Sequence, residues 1–396
     1  MSSRTSDTSS GSAEESTQTT LDEEKYRRSK LKFKIGCILI SLGVLLTSSS
    51  ASWDITNHLI NKPETFFSTP HLLLYTGVGV AALGSAIMFV GKRSFANQGK
   101  FKLPMRLVII GISMVVIAGP FDYNWHVAFG LDGLLSPSHF ILTFGLFLAS
   151  IGALSGLVFA RNYSPLLTSQ KGGNQIEQEG KPKQSVVLLG MDNLLSVIGI
   201  LPLWLTATGL LYMFSLPFSD TQSFDFNPDP TFAAIFATIG FPLLLSTILY
   251  LSYGLNYRFG ILSITGAAFL LISILTTMIP NEFLVPTISF YFLSIIPFVV
   301  ADTILSFSKT KSLQYVAGGI LGSCSFMVYY PFITYVYNEA FTHYVVFPSL
   351  IAPIYSELMI SSYSLLVGPL IAAGILGVVL GRYIISHSKI LEQKIE

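Results

Sequence analysis

Residues 53–77, WDITNHLINKPETFFSTPHLLLYTG, and residues 121–145, FDYNWHVAFGLDGLLSPSHFILTFG, share one frame, Asp-x3-His-x12-His, set 68 positions apart. The first frame holds Asp54, His58 and His71; the second holds Asp122, His126 and His139. Four of the six histidines of the chain fall in these frames, and repetition at a fixed offset reads as an internal duplication. Each acid stands four residues before its first histidine, so the two lie one above the other on a helical face. The second histidine follows Ser68-Thr69-Pro70 in one frame and Ser136-Pro137-Ser138 in the other, a capping hydroxyl with a helix-starting proline. The chain is therefore expected to fold back twice as an antiparallel helical hairpin. Two imidazoles and a carboxylate would meet at each hairpin mouth, a donor set suited to a transition metal with coordination positions left open.

The surroundings of these frames set the fold class. Of 396 residues, 51% are hydrophobic and only 11% charged, with a mean hydropathy of +0.61. A soluble domain carries about a quarter charged residues, so this composition specifies an all-α, polytopic membrane protein. About ten transmembrane helices are expected, over residues 33–52, 70–90, 104–118, 138–160, 187–216, 231–253, 259–279, 283–307, 313–334 and 361–385, with 348–360 as a short interfacial piece. The organisation reads as a disordered cytoplasmic tail (1–32), a duplicated four-helix block (33–160) and a cytoplasmic linker (161–185). A six-helix membrane block (186–387) and a second cytoplasmic tail (388–396) follow.

The net charge of +1 excludes little, but its distribution is informative. Among 23 basic residues, Lys62 alone falls in a loop on the side of the two frames. The positive-inside rule then puts both termini in the cytoplasm and both frames on the extracytoplasmic side of the cell membrane. No nucleic-acid partner is indicated, because the basic residues sit in these loop clusters and no Gly-rich phosphate loop accompanies them. Cys37 and Cys324 lie within apolar runs without a CxxC pattern.

The two frames share more than their ligands. Glu64 matches Asp132, and either acid can serve as an extra ligand or orient an imidazole from behind. A weaker echo, Glu339 and His343, keeps the acid-x3-His spacing, but Ser356 stands where the second imidazole would be. Pro120 sits just before Asp122, where proline tends to kink a helix, so the two sites need not be identical.

The frames resemble the C subunit of the copper membrane monooxygenases, the particulate methane and ammonia monooxygenases. That family carries Asp-x3-His-x12-His at a helix–loop–helix. The second frame is the nearer match, with Asp122, Trp125-His126, Asp132 and Ser136-Pro137-Ser138-His139. The resemblance implies copper at both triads, with Zn or Fe as metals the same donors accept. It spans about a third of the chain. It departs from the family in having two frames and six further helices, in having Gly130-Leu131 where the family has an Arg before the second acid, and in its short outer loops.

Three functions follow from the sequence: a copper-binding, redox- or oxygenase-linked membrane protein, a multi-pass transporter or metal permease, and a non-catalytic assembly subunit. Asp302, inside an apolar run, is the residue a transport pathway would use. The expected partners are the lipid bilayer and other membrane subunits or further copies of the chain.

Overall fold

The computed structural model describes residues 8–59, 65–91, 101–130, 133–162, 191–216, 223–280, 282–307, 310–324 and 363–387. Its regular secondary structure among these residues is all helical, and nine helices among the described residues are long and apolar enough to cross a membrane. The chain is a multi-pass α-helical membrane protein. The helices are α1 (Thr8–Leu59), α2 (Thr69–Gly91), α3 (Lys102–Phe129), α4 (Pro137–Asn162), α5 (Met191–Ser215) and α6 (Pro230–Asn256). Next come α7 (Ile261–Ser273), which runs on through a π-turn at Ile274–Met278, and a 3₁₀ turn at Glu282–Thr287. Helices α8 (Ile288–Phe292), α9 (Ile295–Phe307), α10 (described over 311–324) and α11 (Tyr363–His387) complete the set.

Two sequence expectations change. The tail expected to be disordered over 1–32 is helical from Thr8 onward, as an extension of α1. Nucleation is the costly step in helix formation, and here the membrane span supplies the nucleus from which the helix propagates. Glu24 and Arg28, one turn apart with nitrogen and oxygen 2.6 Å from each other, add local support. The run expected as one helix over 283–307 is broken instead, into the 3₁₀ turn, α8 and α9. Pro286 lies inside the 3₁₀ turn and Pro297 in the first turn of α9, where their missing N–H groups cannot serve an unbroken ladder. Pro120, by contrast, is absorbed inside a continuous α3. The expected span at 313–334 is helical over its described part, 311–324; 348–360 lies outside the described residues.

Helices α1 and α2 pair along their length, as do α3 with α4 and α6 with α11; α5 joins the halves by packing on α1, α4 and α6. Lipid offers no hydrophobic drive for helix pairing, so contact rests on small residues that let backbones approach. The chain does this at Gly43 and Gly77, where a Cβ on Gly77 would lie 2.7 Å from the Gly43 carbonyl oxygen. In the next hairpin a Cβ on Gly145 would lie 2.8 Å from the Gly111 carbonyl oxygen. A second crossing sits a turn or two deeper in each: Gly84 against Gly36, and Gly152 against Pro104. Each crossing in α3–α4 lies 68 positions after its counterpart in α1–α2.

Gly77→Leu should force this seam apart. Its thermal unfolding midpoint in lipid nanodiscs should fall, by an overpacking cost of about 1–3 kcal/mol or more. Gly79→Leu, on the same helix where an added Cβ meets nothing within 4 Å, should leave the midpoint unchanged or raise it.

Candidate metal centre

The hairpin mouth of α3–α4 gathers three side chains from two helices. Asp122 and His126 sit one turn apart near the end of α3, and His139 stands in the first turn of α4. Ser136 starts α4 as the sequence predicts: its hydroxyl accepts from the His139 N–H at 3.4 Å and its carbonyl from the Phe140 N–H at 2.9 Å. The Nε2 atoms of His126 and His139 are 3.2 Å apart. Asp122 Oδ1 lies 3.3 Å from His139 Nε2 and 3.5 Å from His126 Nε2. One ligand atom from each of the three residues falls within 4.8 Å of the others, an arrangement able to hold a metal ion.

The wiring behind the ligands decides what faces inward. His126 Nδ1 lies 3.1 Å from the carbonyl oxygen of Gly130, so that nitrogen carries the proton and donates. The Nε2 lone pair is then left facing His139 and Asp122. Gly130 is held at φ 75°, a left-handed conformation that favours glycine, and its N–H closes α3 on the His126 carbonyl at 3.0 Å. Without an added cation, the carboxylate and the Nε2 lone pair of His126 would repel. A bound metal removes that repulsion, and anchoring the distal ring nitrogen on a carbonyl is how ligating imidazoles are oriented. The residues fit a divalent N/O-bound metal.

The α1–α2 mouth is wired in the same way over its described part. His71 Nε2 lies 2.8 Å from Asp54 Oδ1, and His71 Nδ1 lies 2.9 Å from the Thr65 carbonyl oxygen. With Nδ1–H committed to that carbonyl, the close Asp54 contact needs a positive centre between the groups: a second ring proton or a metal ion. His58 lies on α1 one turn beyond Asp54, but its side chain is outside the described residues. Glu64, Asp132, Glu339 and His343 also lie outside them.

The two mouths are neighbours. The ring of Phe66, in the first hairpin loop, stands 5.1 Å from Tyr75 on α2 and 5.5 Å from Tyr123 on α3. The Tyr75 phenol is within electrostatic reach of both Asp54 and Asp122. Beside the second mouth, Trp125 packs among Phe121, Phe129, Phe224 and Phe226. The last two come from the segment before α6, which closes on Gly133 so tightly that a Cβ there would meet the Phe226 carbonyl at 2.6 Å. The acids of that segment are occupied locally: Asp225 accepts from the backbone and side chain of Asn227, and Asp229 caps α6.

Asp302 is fully buried on α9. Its carboxylate accepts from the backbone N–H of Ser263 at 2.9 Å and the Ser263 hydroxyl at 2.7 Å, with Ser306 at 3.3 Å. It caps the first turn of α7 from a neighbouring helix and is not grouped with either frame.

Sequence reasoning named neither Thr65 nor Tyr75, and it noted Gly130 only as a departure from the family motif. A glycine four residues after a helical histidine is a legible helix stop, but the use of its carbonyl is a matter of geometry. Comparison with protein-family models, curated proteins and solved structures returns no match.

Gly130→Ala should strain the left-handed position by about 1 kcal/mol and displace the carbonyl behind His126. Metal affinity at this mouth should then fall about 10–100-fold, read by competition with a chelator. Gly119→Ala, where an added Cβ meets nothing within 4 Å, should leave affinity unchanged.

Proposed function

We propose that this chain is a transition-metal protein of the membrane, with copper as its metal. Two Asp/His/His sites on the extracytoplasmic side would hold it: Asp54, His58 and His71, and Asp122, His126 and His139. The observation that carries this reading is the convergence of Asp122, His126 and His139, with the His126 Nδ1 proton committed to Gly130 and Nε2 turned inward. The common wiring of His71 on Thr65 and of His126 on Gly130 supports a second site and one duplicated unit. So does the recurrence of the Gly43–Gly77 crossing at Gly111–Gly145. Imidazole-rich N/O donors suit copper, and the resemblance of both frames to the C subunit of copper membrane monooxygenases favours it over zinc or iron. Bound copper would supply one-electron chemistry at a site with open positions, which links the protein to redox or oxygenase function. The residues of the chain hold and orient the ion: the acid balances its charge, and the backbone carbonyls fix which ring nitrogen is free.

The transport reading has less support, because the buried carboxylate it would use, Asp302, is committed to capping α7. An assembly role without catalysis differs from the copper reading in activity, not in metal binding.

Elemental analysis of protein purified in lipid nanodiscs is the test. Wild type should carry one ion per triad, and His126→Ala with His139→Ala should remove one of them. Replacing His58 and His71 as well should leave none. Wild type without metal, or metal content indifferent to loss of all four histidines, would sink the proposal. Asp302→Asn should leave metal content and proteoliposome ion flux unchanged while lowering stability by about 1–3 kcal/mol.

A further inference from the structure

The stretch of α1 that contains its membrane-crossing window, Glu24–Asn57, is 34 residues long. At 1.5 Å per residue that is about 51 Å of helix, against a hydrocarbon core of about 30 Å. Counting about 20 residues back from Asp54 reaches Lys34, so the segment before it continues past the core as helix at headgroup depth. Over 25–34, KYRRSKLKFK, that segment holds Lys25, Arg27, Arg28, Lys30, Lys32 and Lys34 and no acid. Lys25, Arg27, Arg28 and Lys32 are exposed. Three of them, Lys25, Arg28 and Lys32, fall at i, i+3 and i+7 and line one stripe. The pairing of Arg28 with Glu24 is itself exposed and neutralises little.

This patch is fixed in place by packing. Phe33 is fully buried and its ring stands 5.1 Å from Phe101, which stands 4.0 Å from Phe159. The three rings tie α1, α3 and α4 together, and Gly91 of α2 abuts the Phe33 backbone. Lys102 and Arg106, both exposed, open α3 at the same end. The cations therefore form a collar on rigid helices, at the end of the bundle opposite the metal frames.

We propose that this collar is a binding surface for anionic phospholipid headgroups, with the exposed side chains of Lys25, Arg27, Arg28 and Lys32 as its main contacts. The occupant is a lipid surface because the cations flank the span at the depth where headgroups lie. Each cation within about 8 Å of the charged layer is little screened at physiological salt. Such a residue typically contributes about a fivefold gain in affinity for an anionic membrane. The surface needs no metal and stands independently of the reading of the two frames.

The test uses the purified full-length chain in nanodiscs of phosphatidylcholine alone or mixed with phosphatidylglycerol. Native mass spectrometry reads the lipids retained, and thermal unfolding reads stability. Wild type should retain phosphatidylglycerol over phosphatidylcholine by about fivefold or more, unfold at higher temperature in the mixed discs, and lose both effects as salt is raised. A variant with Lys25, Arg27, Arg28 and Lys32 changed to Gln keeps good helix formers and should lose the preference. Arg27→Lys with Arg28→Lys should keep it. Equal retention of the two lipids by wild type, or an unchanged preference in the Gln variant, would overturn the proposal. So would an RNA oligonucleotide that binds this patch while the lipids show no preference. If the Gln variant does not incorporate, the salt dependence of wild-type retention decides alone, and its absence counts against the surface.

Discussion

Backbone contact between paired helices is what the rest of this protein depends on. A hairpin whose helices were held apart by ordinary side chains would keep its acid and its returning histidine on separate rods. At Gly43–Gly77 and Gly111–Gly145 the carbonyl of one helix occupies the space a Cβ on the other would need. The helix axes are thereby drawn together a few turns below each mouth. Convergence of Asp122 with His139, and of Asp54 with His71, at 3.3 and 2.8 Å is the consequence at the mouth.

Electrostatics then fixes the chemistry of what has been gathered. His71 and His126 each set Nδ1 against a carbonyl oxygen of their own hairpin, Thr65 for His71 and Gly130 for His126. The nitrogen left over faces a carboxylate, so the site attracts a cation. At the other end of the bundle the sign is reversed: the exposed side chains of Lys25, Arg27, Arg28 and Lys32 crowd one stretch of α1. The long axis of the molecule thus runs from a pair of mouths that call for positive charge to a collar that presents it.

Much of this was legible in the sequence, for identifiable reasons. Hydropathy and span length dictate a helical membrane protein because lipid leaves the backbone no partner but itself. The Asp-x3-His-x12-His spacing put Asp122 and His126 on one helical face and returned His139 beside them, and Ser136 caps α4 as its position implied. What stayed hidden depends on tertiary contact. Apolarity alone does not reveal that 283–307 breaks into short helices, since periodicity is weak in a uniformly apolar run. Nor does a polar, Ser/Thr-rich composition at the N-terminus disclose that α1 begins at Thr8, because a helix can be extended by its neighbour's nucleus. Asp302 was visible as an intramembrane acid, but its partner, the first turn of α7, lies 39 positions away.

The ring contact between the hairpins has a mechanical consequence. Thr65, whose carbonyl holds His71, is covalently followed by Phe66, and Asp122 is followed by Tyr123; Phe66 and Tyr123 stand edge to face at 5.5 Å. Were the proposed ion bound at Asp122, a shift of the α3 terminus would be felt through this contact by the loop whose carbonyl meets His71. The two mouths share a joint as well as a design. Linkage requires any such influence to run both ways, so occupancy at either would bias the geometry offered by the other.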